Sequence, residues 1–120
     1  MDKIFNRGVR ILGAFGRKIA TAVATSGAAT LNADTGVVTT EALTTAQNAA
    51  YTLTITNSKV AAADLVFATV FNGSNTQGTP VVCRAQAAAG SIVIIISNQH
   101  ASAQALNGTL KVGFMVVKSR

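Results

Sequence analysis

The segment Ser91-Ile92-Val93-Ile94-Ile95-Ile96-Ser97 constrains this chain more tightly than any other. A run of β-branched side chains loses rotamer freedom in a helix and packs well on a pleated surface, so the segment is read as a strand. At an open edge it would template pairing with other chains, which places it in the interior of a sheet. The remaining sequence must therefore supply neighbours on both sides of it and a cover for its apolar faces.

Those neighbours are visible as further period-two segments. Tyr51, Leu53 and Ile55 alternate with Thr52, Thr54 and Thr56, giving one greasy and one hydroxylated side. Leu110, Val112, Phe114 and Val116 alternate in the same way, and this last strand is expected to close a sheet. In Leu65-Val66-Phe67-Ala68-Thr69-Val70-Phe71 both sides are apolar, and such a strand is expected to be covered on both, by a second layer or by a neighbouring subunit. Val81-Val82-Cys83 begins another strand, and residues 28–32 and 36–40 supply two shorter ones. Polar turn formers fill residues 72–80 and 97–108 and mark two exposed loops. Roughly six or seven short strands with intervening turns predict an all-β fold, an antiparallel β-sandwich or a jelly-roll-like barrel, over residues 25–120.

Residues 1–24 read differently, as a basic amphipathic N-terminal arm. Lys3, Arg7, Arg10, Arg17 and Lys18 stand against Asp2 alone in the first twenty positions, while the rest of the chain holds five basic and three acidic groups, so the arm carries +4 of the net charge of +6. At about 100° per residue, Ile4, Gly8, Ile11, Leu12, Phe15 and Ile19 fall on one side of a helix and the basic residues on the other. Arg17 and Lys18 interrupt the apolar core that a secretory signal needs. Such an arm can lie on a membrane surface, contact nucleic-acid phosphates, or dock its apolar stripe on a protein surface. Docking is the expectation, because Gly8, Gly13 and Gly16 each weaken an isolated helix by about 1 kcal/mol relative to Ala, and the helix then needs a surface to form on. The partner-binding residues are accordingly expected to be Ile4, Phe5, Ile11, Leu12, Phe15 and Ile19 for apolar contact, with Arg7, Arg10, Arg17 and Lys18 for electrostatic complementarity.

Groups that could carry chemistry are few: one His, one Cys, one Tyr, no Trp and four carboxylates. They show no metal-ligand spacing, nucleophile elbow, phosphate loop or dinucleotide fingerprint, so neither an enzymatic activity nor a cofactor is expected. His100 reads as a loop residue, Cys83 as buried strand core, and Asp34 and Asp64 as solvated turn acids. One cysteine makes no internal disulfide, so the fold does not depend on oxidation. No stretch reaches the about 18 consecutive apolar residues of a spanning helix. The abundance of small Ala residues and the scarcity of charge outside the arm suggest a homo-oligomer whose outer surface is partly covered.

Three segments carry a family likeness: Gly36-Val37-Val38-Thr39-Thr40-Glu41-Ala42-Leu43-Thr44-Thr45, Tyr51-Thr52-Leu53-Thr54-Ile55-Thr56-Asn57-Ser58, and Leu106-Asn107-Gly108-Thr109-Leu110-Lys111-Val112-Gly113-Phe114. In these Ala/Thr/Val-rich strands joined by Asn-Gly turns, roughly residues 28–117 resemble small virion proteins of tailed bacteriophages. The resemblance implies a capsid decoration or cement protein, often a trimer, that binds the major capsid protein or another virion protein and reinforces contacts between capsomers. It also implies a location in the virion, assembled in the host cytoplasm. The arm is not part of the shared style. Two other functions fit the same sequence: a receptor- or carbohydrate-binding fibre module using loops 72–80 and 97–108, and a nucleic-acid-binding protein using the basic arm. The first would lack the Trp and Tyr platforms on which sugars commonly stack.

Overall fold

The computed structural model describes residues 19–119. These form eight strands: β1 (Ala20–Val23), β2 (Ala28–Thr30), β3 (Thr35–Thr39), β4 (Ala50–Thr56), β5 (Leu65–Asn72), β6 (Pro80–Ala88), β7 (Ser91–Asn98) and β8 (Leu110–Val117). They assemble into two four-stranded sheets, β1-β3-β8-β5 and β2-β4-β7-β6, with no helix among the described residues. The all-β expectation holds in this form, as two separate sheets sharing one core. The amphipathic arm lies outside the described residues except at its end, where Ala20–Val23 is an edge strand. Thr21 and Val23 point outward there while Ala20 and Ala22 are half-buried, so local β propensity and pairing with β3 replace the helical period.

The isoleucine run does occupy a sheet interior, with β4 and β6 as its antiparallel neighbours. Ile92, Ile94 and Ile96 are completely buried and stand opposite Ile55, Leu53 and Tyr51 in the register. Thr52, Thr54 and Thr56 face solvent, as the alternation requires. Across the core, Leu110, Val112, Phe114 and Val116 of β8 and Val38 of β3 supply the inner face of the other sheet. β8 does not lie at an edge; it runs between β3 and β5 and pairs antiparallel with both.

The sheets are mixed rather than wholly antiparallel, because β1 pairs with β3 and β2 with β4 in parallel. Successive strands lie in opposite sheets except for the β6–β7 hairpin, so after a single-strand visit to the other sheet the chain returns running in the same direction, whereas after the β6–β7 hairpin it returns as β8 antiparallel to β5. A tight reversal makes the first crossing possible. Ser26 and Gly27 have φ of 50° and 77°, and Thr25 and Ala28 exchange backbone hydrogen bonds of 2.9 and 3.0 Å, the pattern of a type I′ turn. A Cβ on Gly27 would lie 2.8 Å from the Thr52 carbonyl oxygen, so the turn also needs glycine for space.

Cys83 departs from the expected burial. The register slips between Val82 and Arg84, and the bulged Cys83 is exposed on β6, an edge strand. The polar loops are also less free than their composition suggested. Asn98 is completely buried; its Nδ2 donates to the Thr45 and Gln104 carbonyls at 3.0 and 2.7 Å, and its Oδ1 accepts from the Thr79 and His100 amides at 3.0 and 3.2 Å. Asn75 accepts from the Asn107 amide while Asn107 accepts from the Thr76 amide, both at 2.7 Å, which ties the 72–80 loop to the 97–108 loop.

If the core is held by the isoleucine face, Ile94→Ala lowers the unfolding free energy by about 2–5 kcal/mol and Ile94→Val by about 0.5–1.5 kcal/mol. Thr54→Ala, on the solvent side of the neighbouring strand, stays within about 0.5 kcal/mol. Urea denaturation of the three variants measures this.

Candidate interaction surface

The two sheets differ on the sides that face away from the core. On the second sheet that side is mixed: Thr52, Thr54 and Thr56 of β4 run beside Ile95, Val93 and Ser91 of β7, with Val81, Arg84 and Gln86 on β6, and Val81 is its one well-exposed large apolar residue among the described residues. On the first sheet the large side chains other than Lys111 are apolar, with Thr21, Thr35, Thr39 and Thr69 between them. β5 and β8 pair along their full length, from Leu65 opposite Val117 to Asn72 opposite Leu110, so residues outward on one meet residues outward on the other. Leu65, Phe67 and Phe71 are exposed by 60, 56 and 48%, and Met115 and Val117 by 47 and 41%. Val23 and Ile19 extend the face across β1. Among the described residues, Lys111 is the one charged side chain at an outward position of these four strands.

A groove of about 460 Å³ crosses this face, lined by side chains that include Ile19, Val37, Phe67, Phe71 and Met115. Gly113 stands at an outward position of β8, opposite Val37 and Thr69, where any side chain would fill the depression. A Cβ there would lie 3.2 Å from Thr69 Cγ2, so the site is closely walled on that side.

The β5/β8 pair is locked at one end by an ion pair. Asp64, buried immediately before β5, accepts from Lys118 Nζ at 2.8 Å, just beyond β8. Asp64 also accepts from the Ala61 and Ser119 amides at 2.9 and 3.0 Å. These bonds, that from Lys118 foremost and then those from the two amides, hold its carboxyl well below the usual carboxylate range. Asp64 is therefore not the solvated turn acid that its sequence neighbourhood predicted. Lys118 also donates to the Lys59 carbonyl, so the chain end is fixed to the 59–64 turn.

Of the arm residues expected to bind a partner, Ile4, Phe5, Arg7, Arg10, Ile11, Leu12, Phe15, Arg17 and Lys18 lie outside the described residues. Ile19 lies inside them; it is 49% exposed and borders the groove with Phe67 and Met115. The other residues of the face were not named as a site from sequence. The signal was present in β5, whose two apolar sides called for two covers; the core covers one side, and among the described residues the other is open.

The remaining reactive groups are dispersed. Tyr51 Oη donates to Glu41 Oε1 at 2.9 Å, and burial, reinforced by that carboxylate, raises the pKa of the phenol. His100 Nδ1 accepts from the Ser102 amide at 3.1 Å, and its carbonyl accepts from Gln47 Nε2 at 2.9 Å. Among the described residues no three His, Cys, Asp or Glu side chains come together as a metal-ligating group, and no helix is long and apolar enough to cross a membrane. The first sheet's outward side is thus the feature that most departs from an ordinary solvated surface. Comparison of the chain with protein-family models, with curated proteins and with solved structures gave no match.

The depressed Asp64 pKa ties stability to acidity. Its contribution is complete above the unfolded-state value of about 4 and is lost as pH falls from there towards the folded-state value. Thermal melts should therefore show the native chain losing stability below about pH 4, while Asp64→Asn is less stable at neutral pH and shows a shallower acid loss.

Proposed function

We propose that this chain is a non-enzymatic structural protein of a virus particle, a capsid decoration or cement protein whose β body assembles with other protein and whose basic arm fastens it to the capsid lattice. The observation that carries the assembly part is the apolar outward face of the first sheet. Isolated soluble proteins rarely expose contiguous apolar patches larger than a few hundred Å², and larger ones mark interaction sites. Phe67, Phe71, Leu65 and Met115 form such a patch, whereas the outward side of the second sheet exposes Val81 as its one large apolar residue among the described residues, so the asymmetry is not a general consequence of the composition.

The virion part rests on the resemblance to small tailed-phage proteins, and the arm supplies the means of attachment. Ile4, Phe5, Ile11, Leu12, Phe15 and Ile19 would make the apolar contact with the major capsid protein or another virion protein, and Arg7, Arg10, Arg17 and Lys18 would meet acidic groups there. The receptor-binding reading draws less support, because several polar side chains of the 72–80 and 97–108 loops are engaged with each other or with nearby backbone. Binding of nucleic acid by the arm would appear as an affinity that falls steeply with salt.

Quantitative mass spectrometry of virus particles purified from cells that produce this chain should find it at a fixed ratio to the shell protein. A chain lacking residues 1–18 should keep its folded body and lose particle binding. Absence from particles, or full retention of the truncated chain on them, contradicts the proposal.

A further inference from the structure

We infer that the outward face of the first sheet is the contact through which the chain binds a second copy of itself, with Phe67 and Phe71 of one copy seated in the groove over Gly113 of the other. This deepens the assembly reading by naming the surface and its occupant, and it does not depend on the location in a virus particle.

Area is the first support. The seven large apolar residues exposed on this face are each open by 41 to 72%. Aromatic side chains bury roughly 150–250 Å² each and aliphatic ones somewhat less, so the group presents on the order of 700 Å², close to the about 800 Å² per partner of a stable protein interface. Charge is the second. A chain of net charge +6 repels its own copy unless the meeting surfaces are nearly free of charge. This face meets that condition, with Lys111 alone at an outward position among the described residues. Among the described residues, the outward side of the other sheet also carries a single charge, Arg84, so charge permits the contact on this face and the exposed apolar area selects it.

Shape is the third support and the one that selects a second copy as occupant. Contact between identical surfaces needs a projection and a matching recess on the same face. Phe67 and Phe71 project from the edge strand β5, and the recess of about 460 Å³ lies beside them over Gly113. Aromatic rings seated in desolvated pockets are the usual anchors of such contacts.

Sedimentation of the full-length chain at micromolar concentrations tests this. The chain should run as one small oligomer of fixed mass. Phe67→Asp and Phe71→Asp should each weaken self-association by about tenfold or more while retaining the β circular dichroism spectrum, and Thr54→Asp on the other sheet should leave the mass unchanged. In a Cys83→Ser background, Thr69→Cys beside the groove should form a covalent dimer with a short bis-maleimide. A monomeric full-length chain overturns the inference, as does an oligomer that neither Phe substitution weakens and that Thr69→Cys does not cross-link. A monomer that self-associates only after removal of residues 1–18 also overturns it, and makes the arm the occupant of the groove. Particle composition plays no part in these readouts, so failure here leaves the virion proposal to its own experiment.

Discussion

The packing of β7 and β8 across the core is the constraint on which everything else in this molecule depends. Ile92, Ile94 and Ile96 from one sheet and Leu110, Val112, Phe114 and Val116 from the other line the interior, and both strands lie between hydrogen-bonded neighbours. Side chains alternate along a strand, so fixing four inward residues of β8 also fixes its outward ones. Gly113, Met115 and Val117 have no other side to occupy. A slip of one residue would bury Lys111 and Met115 in place of Leu110 and Phe114, which the core does not permit. The groove and its apolar surroundings follow directly from the register that makes the core.

The exposed large apolar side chains of the described residues lie almost all on one sheet, which gives the sandwich a direction. The threonines of β4 satisfy water without offering much to a partner, while Phe67, Phe71 and Met115 are poorly solvated and well suited to one. The Asp64–Lys118 pair and the Ser119 amide bond hold the start of β5 against the end of β8. Exposed ion pairs contribute little, but here the carboxylate is buried and also accepts two backbone amides, which gives the pair a defined geometry. The clamp keeps the two strands that carry the aromatic residues in register.

Features written in local periodicity were legible in the sequence. The alternations of Tyr51 to Thr56 and Leu110 to Val116, and the interior position of the isoleucine run, all follow from side-chain chemistry within a few residues. Features that depend on which segments meet were not. The parallel β1/β3 and β2/β4 pairs arise from crossings between sheets, and local pattern carries no record of them. Asp64 reads as a solvated acid until Lys118, 54 residues away, is brought beside it. Cys83 reads as core until a bulge turns it outward. The candidate surface was half legible: β5 declared two apolar sides, but whether the second meets a layer of the same chain or open solvent is decided by β5's place at a sheet edge and by the outward residues of β8. Nine of the ten arm residues named from the sequence lie outside the described residues, and the tenth, Ile19, borders this face.

The central claim, that protein covers the first sheet's outward face, is tested most directly by the reactivity of Met115 in the full-length chain. Met115 is 47% exposed in the single chain and would be enclosed with the face occupied by another copy. Peroxide oxidation followed by peptide mass spectrometry should find Met115 protected at high protein concentration and increasingly oxidised on dilution. Oxidation at the rate of a free methionine at every concentration would contradict the account.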